Sequence, residues 1–364
     1  MYSLRKLQAI VLGNQLEPGQ VHEQLQASYV PVTEADCRNC SDPCEEGHEN
    51  YPNRFDVDWE SQMLGTVKPY RRQVVISTGK SDWDREITDT KGSLAAHLLS
   101  AQNQGNLPIA EPAPPRPPQP PLQHNGKAVR QTTGVFRSTD ATRISILNAS
   151  HVTMSDDDEL ETVLVFPDYT AVADVTRSRE GAQKLWESAV DPEVGRGGIR
   201  HEKSPFKTWV LPYSCVILLC SHKKRDNRCA IAAPKLEQGF IHSLQENGWV
   251  ADTQLECQCL MGPSLEDLGG TPEETEQEIM KQLKISSAEK RVLILKCSHV
   301  GGHKYAGNCL IYTPQGSCVW YGRVTPHDVE SIVVNTIIDG LVLPPLLRSG
   351  MNLSRPGCKT LNDW

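Results

Sequence analysis

The chain has 364 residues and a formal net charge of −8 at pH 7. That balance argues against a general nucleic-acid role. No apolar run reaches the roughly 18–20 residues of a membrane span. The first residues, Met1 to Gln15, carry Arg5 and Lys6 but no secretory apolar core, and too little Arg and Ser for a mitochondrial presequence. Without a secretory signal, the 12 cysteines point to metal binding or redox chemistry rather than disulfides.

In chain order, residues 1–30 show no strong pattern and read as loosely ordered. Cys37, Cys40, Cys44 and His48 follow, a set that suits a Cys3His zinc site or a polar loop with free thiols. Residues 55–70, with Phe55, Trp59 and Leu64, read as a short piece packing on the first domain. Val74-Val75-Ile76-Ser77 predicts a strand, and Gly92 to Gln102 a helix with His97 on its apolar side. Pro108 to Pro121 is proline-dominated and marks a solvated or polyproline insertion. Strand patterns resume at Arg143–Leu147 and Glu161–Phe166, around the acidic turn Asp156–Glu159. Residues 178–190 read as a helix.

The second half repeats this order. Ser214–Leu219 predicts a buried strand, and Ile231–Asn247 a helix with Leu236, Phe240, Ile241 and Leu244 at helical spacing. Cys257–Lys284 reads as an acidic insertion. Arg291–Lys296 is a strand, and Asn308–Thr313 with Ser317–Tyr321 a hairpin. A last helix opens at Thr325, with a capping box to Asp328. Cys215, Cys297, Cys309 and Cys318 lie inside apolar strand patterns and are most simply buried small hydrophobes.

Two segments carry the chemistry. Cys220-Ser-His-Lys-Lys-Arg-Asp-Asn-Arg-Cys229 follows the strand at 216–219, and His299-Val-Gly-Gly-His303 follows the strand at 292–295. If those strands are neighbours, two thiols and two imidazoles converge. That donor set suits zinc or an iron–sulfur cluster. The nine-residue step from Cys220 to Cys229 is wide for a zinc knuckle, whereas His-x3-His fits the second half of a zinc finger. Gly301-Gly302 argues against a helix and would let backbone amides approach a cluster. Lys223, Lys224, Arg225 and Arg228 could steer an acidic partner, or Arg225 and Asp226 could simply pin the loop.

The blocks Cys-Ser-His-x-x-Arg-Asp-x-Arg-Cys, His-Val-Gly-Gly-His-Lys-Tyr-Ala-Gly-Asn and Trp-Tyr-Gly-Arg-Val-Thr-Pro resemble the sucrase/ferredoxin-like family. These are thioredoxin-like ferredoxins of fungi and plants. The likeness is closest over residues 213–334. It implies an α/β fold of two thioredoxin-like domains: an extension at 1–69, a first domain at 70–212 with a Pro-rich insertion at 105–133, and a ferredoxin domain at 213–364 with an acidic insertion at 251–290. It also implies one [2Fe–2S] cluster held by Cys220, Cys229, His299 and His303, the histidines standing where ordinary members carry two cysteines. The implied role is electron transfer, fed by a reductase.

The C-terminal Leu-Asn-Asp-Trp364 resembles the tail signal read by the cytosolic iron–sulfur targeting complex. It makes cytosol the expected location, with the mitochondrion as alternative. Two rival readings remain: a thiol–disulfide oxidoreductase, against which no Cys-x-x-Cys stands at a strand-to-helix junction, and a zinc-stabilised interaction module.

Overall fold

A computed structural model describes residues 18–35, 50–105, 123–124, 127–128, 132–192, 204–255 and 262–364. Cys37, Cys40, Cys44, His48 and the proline run at 108–121 lie outside them. The chain is mixed α/β, built on one 12-stranded mixed sheet. Its strands are β1 (Arg72–Ser77), β2 (Val135–Phe136), β3 (Ile144–Ala149), β4 (Leu160–Phe166), β5 (Thr170–Thr176), β6 (Lys207–Val210), β7 (Cys215–Cys220), β8 (Val250–Asp252), β9 (Arg291–Cys297), β10 (Cys309–Tyr312), β11 (Cys318–Tyr321) and β12 (Leu347–Met351). The order across the sheet is β2-β12-β11-β10-β7-β9-β3-β1-β4-β5-β6, with β8 also paired to β9.

Two halves repeat one topology. In the first, β1 and β3 run parallel across the helix α2 (Leu94–Gly105), and the antiparallel pair β4–β5 adds on the other side of β1. In the second, β7 and β9 run parallel, and the hairpin β10–β11 adds on the other side of β7. Helix α3 (Arg179–Leu185, extended by a π turn to Val190) follows the first set. The second contains α4 (Asn227–Glu246) and ends in α6 (Val329–Ser331, continued as a π helix to Ile338). The capping box expected at Thr325 and Asp328 is formed. The halves join edge to edge where Cys297 of β9 pairs with Ala149 of β3. Ser298 N–H donates to the Asn148 carbonyl at 2.8 Å, and Ser150 N–H to the Lys296 carbonyl at 2.9 Å.

Strand alternation sorts the core into three parts. In β7, Cys215, Ile217 and Leu219 face an outer core capped by α4, α6 and α1 (Pro18–Ala27), whereas Val216 and Leu218 face an inner one. In β1, Val74 and Ile76 face the outer core under α2 and α3, and Val75 faces the same inner core as Val216. The sheet therefore curls, and its two halves share the core on the concave side. Phe166 of β4 stacks on Tyr312 of β10 at 4.2 Å between ring centroids, though four strands lie between β4 and β10 in the sheet.

Three expectations change. Residues 55–66 pack on the second half, not the first: Phe55 and Leu64 join the outer core beside β7, and Asp58 N–H donates to the Lys304 carbonyl at 2.9 Å. Part of the 1–30 stretch is the helix α1, with Leu25 fully buried. The described parts of the 251–290 stretch also pack into the fold. Helix α5 (Pro272–Ala288) starts in a capping box at Thr271 and buries Ile279 and Leu283 in the shared core.

Candidate metal centre

The two ligand-bearing strands are parallel neighbours, in register from Val292 opposite Cys215 to Cys297 opposite Cys220. Both therefore end at the same rim of the sheet. Cys220 is the last residue of β7. Its chain continues through a loop into α4, whose first turn brings Cys229 back beside it. Asp226 is the N-cap of α4. Its carboxylate accepts from Arg228 N–H at 2.9 Å, and from Arg228 Nε and Nη2 at 2.9 and 2.8 Å. Burial raises the Asp226 pKa, but these hydrogen bonds and the Arg228 charge hold it below the usual range.

His299 stands two residues beyond β9, and its Nδ1 lies 3.8 Å from Cys220 Sγ. The ligand atoms of Cys220, Cys229 and His299 all lie within 4.8 Å of one another. Cys220 is 2 % exposed and Cys229 fully buried. His303 opens the short 3-10 turn to Tyr305 and is exposed; its ring centroid is 5.8 Å from that of His299. So three of the expected ligands converge, and the fourth lies alongside at the protein surface.

The thiols are electrostatically unequal. A hydrogen bond from Cys229, outweighing the penalty of burial, favours the Cys220 thiolate, with help from His299 and the Val300 N–H. Cys229, as donor in that pair and itself buried, is pushed up. Burial also pushes up Cys215, Cys297 and Cys309, and Cys318 to about 12, as expected of inert core thiols.

Around these donors lie residues that sequence reasoning missed. His222 is buried in the ligand loop. Its Nδ1 accepts from His299 N–H at 3.3 Å and its Nε2 lies 2.9 Å from the Trp83 carbonyl. Serving one acceptor and one donor requires the neutral tautomer with its proton on Nε2. Arg348 of β12 is 3 % exposed. Its Nη1 donates to the Gly301 carbonyl at 2.9 Å and to Asn308 Oδ1 at 2.7 Å, and its Nε to Thr66 Oγ1 at 3.0 Å. Gly302 sits at φ +66°, where a Cβ would collide with the Arg348 guanidinium. Gly302 is thus explained by packing on an arginine, whereas Gly301 answers to its backbone, at φ +82° with open space where a Cβ would stand. A strand of sequence Leu-Arg-Ser-Gly-Met lacks the alternation that would have revealed that arginine.

Three of the four loop cations form ion pairs. Lys224 Nζ pairs with Asp84 at 3.0 Å, Arg225 with Glu86, and Arg228 with Asp226. The first two tie the ligand loop to the first half of the chain.

A curled mixed sheet with two cysteines and a histidine gathered at one rim defines a candidate soft-metal protein. The chain belongs to the sucrase/ferredoxin-like family, whose model matches residues 63–349 and so spans both halves. Altered inheritance of mitochondria protein 32 of Meyerozyma guilliermondii is 30 % identical over 137 residues, covering 38 % of this chain and 35 % of the relative. Actin patches distal protein 1 of Saccharomyces cerevisiae is 32 % identical over 123 residues, 34 % of this chain and 29 % of the relative. These two matches span about a third of the relatives' own length. A longer match, to altered inheritance of mitochondria protein 32 of Debaryomyces hansenii, is 26 % identical over 320 residues, 84 % of this chain and 93 % of the relative. No solved structure matches the chain. Among the described residues, no helix is long and apolar enough to cross a membrane.

Proposed function

We propose that the chain is a one-electron carrier whose two halves are thioredoxin-like, with one [2Fe–2S] cluster held by Cys220, Cys229, His299 and His303. The observation that carries this reading is the convergence of two thiols and an imidazole from the ends of two adjacent parallel strands, in a family described as ferredoxin-like. The repeated order, a parallel pair crossed by a helix and then an antiparallel pair, supports the thioredoxin-like assignment.

When bound, such a cluster supplies one-electron chemistry, and imidazole in place of two thiolates makes it easier to reduce: centres of that kind span about −150 to +300 mV, against about −400 mV for plant-type ferredoxins. The protein's own part is to hold Cys220 as thiolate, to keep Cys229 dry, and to leave the His303 side open. The Nδ1 of His299 is the ring nitrogen turned to Cys220; were it to ligate the cluster, the ring proton would sit on Nε2, where electron and proton uptake could be linked.

The partners follow from that reading: a reductase docking on the exposed His303 edge, and the iron–sulfur targeting complex at Trp364. The Trp364 ring is partly exposed and lies against α5, its Nε1 donating to Ser287 Oγ at 3.1 Å. Cytosol is the proposed compartment. The relatives' names mention mitochondria, so cell fractionation with the tagged chain is the direct check.

A second reading is a zinc site, because three donors within 4.8 Å also suit one tetrahedral ion. One experiment separates the readings: an anaerobic visible spectrum with iron, sulfide and zinc counts. Red-brown protein with about two iron and two sulfide per chain, bleached by dithionite, is the expected result. Colourless protein with stoichiometric zinc would replace the carrier by a zinc-stabilised module. Metal-free protein with a Cys220–Cys229 disulfide would favour a thiol–disulfide oxidoreductase.

A further inference from the structure

We propose that Arg348 is a positioning residue that sets the reduction potential of this centre, an inference that rests on the cluster reading above. Arg348 is almost wholly buried, and among the described residues no carboxylate pairs with it. Its hydrogen bonds go only to neutral acceptors: the Gly301 carbonyl, Asn308 Oδ1 and Thr66 Oγ1. It stacks over the rings of Tyr305 at 5.5 Å and Trp320 at 5.4 Å.

A buried cation without a carboxylate is costly unless another negative charge compensates it. The groups that favour its charged form are Tyr305, Cys220 and Cys229. Burial pulls its pKa down, but only to about 10, so the charge is kept at neutral pH. With two thiolates and two neutral imidazoles, the oxidised centre is neutral and the reduced one carries a single negative charge. A fixed guanidinium in a low-dielectric site therefore favours the reduced state. The same side chain holds the His299–His303 loop by its bond to Gly301, and Gly302 leaves the room it occupies. Charge and loop geometry thus depend on one residue.

The test is a spectroelectrochemical titration of the full chain as wild type, Arg348→Gln, Arg348→Lys and Thr66→Asp. Arg348→Gln should lower the reduced-to-oxidised ratio at a fixed poise about tenfold, which is about 59 mV for a one-electron couple. Arg348→Lys, which keeps the charge, should stay near wild type. Thr66→Asp places a carboxylate beside Arg348 Nε from an exposed position, and should shift the ratio the same way by less. An Arg348→Gln protein with an intact cluster spectrum and wild-type potential overturns the inference and leaves the carrier reading standing. If Arg348→Gln loses its cluster, Thr66→Asp decides, and an unshifted potential there overturns the inference. Wild-type protein without iron and sulfide instead removes the carrier reading itself.

Discussion

Cys220 ends a buried strand, and its Sγ lies within 4.8 Å of the ligand atoms of Cys229 and His299. Cys220→Ala should therefore lose most of its iron and colour, whereas His303→Cys should keep a cluster and lower its potential, because a third thiolate adds negative charge. Iron content and a redox titration on the two variants check both halves of that statement. A different residue controls acid stability. His151 is fully buried, its Nε2 facing the Thr162 carbonyl at 3.3 Å, and burial lowers its pKa to about 4. The ring is thus neutral in the folded chain and titrates near 6.5 when unfolded. The unfolded state binds the extra proton between those values, so the folded state is favoured above about pH 6.5 and loses that advantage as pH falls toward 4. The full effect is of order 3 kcal/mol. Urea midpoints at pH 7 and pH 5 should differ more in wild type than in His151→Gln.

At the scale of elements, α4 is both a core helix and a ligand carrier. Its N-cap, Asp226, fixes the turn from which Cys229 projects and neutralises Arg228. Asp226→Ala should cost about 1 kcal/mol for the cap and should lower metal retention as well, while Asp226→Asn, which keeps the acceptor, should hold both closer to wild type. Urea midpoints and metal content report the two effects separately. The elements around α4 were also the legible ones. The runs Val216–Leu219 and Val292–Leu295 are apolar without interruption because both faces of β7 and β9 are buried, and that is what marked them as buried strands. Their convergence followed once they proved parallel neighbours. Strand β12 was opaque because it carries Arg348 and Gly350 inside, and the β4–β5 pairing was hidden because Thr170–Thr176 mixes Ala, Asp and Thr. The reason for Gly302 could not be read locally at all, since the arginine that demands it lies 46 residues further along the chain.

At the scale of the whole molecule, periodicity says which residues of a strand share a face, not what that face meets. The pattern therefore suggested two units divided near residue 212, and each half does own an outer core. The inner core has no such division. Leu147, Phe166 and Ala171 from the first half interleave with Leu218, Leu295 and Tyr312 from the second, and Tyr312 Oη donates to Gln73 Oε1 of β1 at 2.9 Å. Strand β2, from the first half of the sequence, pairs with β12 at the far edge of the second. The segment at 58–66 braces the metal rim: the Arg323 guanidinium donates to the Asp58 and Ser61 carbonyls, at 2.6 Å each. Separating the halves would expose the inner face of both and strip the rim of its brace. At about 25 cal/mol per Å² of apolar surface, a dozen uncovered core side chains cost far more than the 5–15 kcal/mol that holds a domain folded. Residues 213–364 expressed alone should therefore fail to give soluble, metal-loaded protein, even though all four proposed ligands lie within them. The full chain should unfold in one transition, with circular dichroism, tryptophan fluorescence and cluster absorbance changing together. A stable, coloured 213–364 fragment, or fluorescence that changes well before the cluster bleaches, would show instead that the second half folds and binds metal without the inner core it shares.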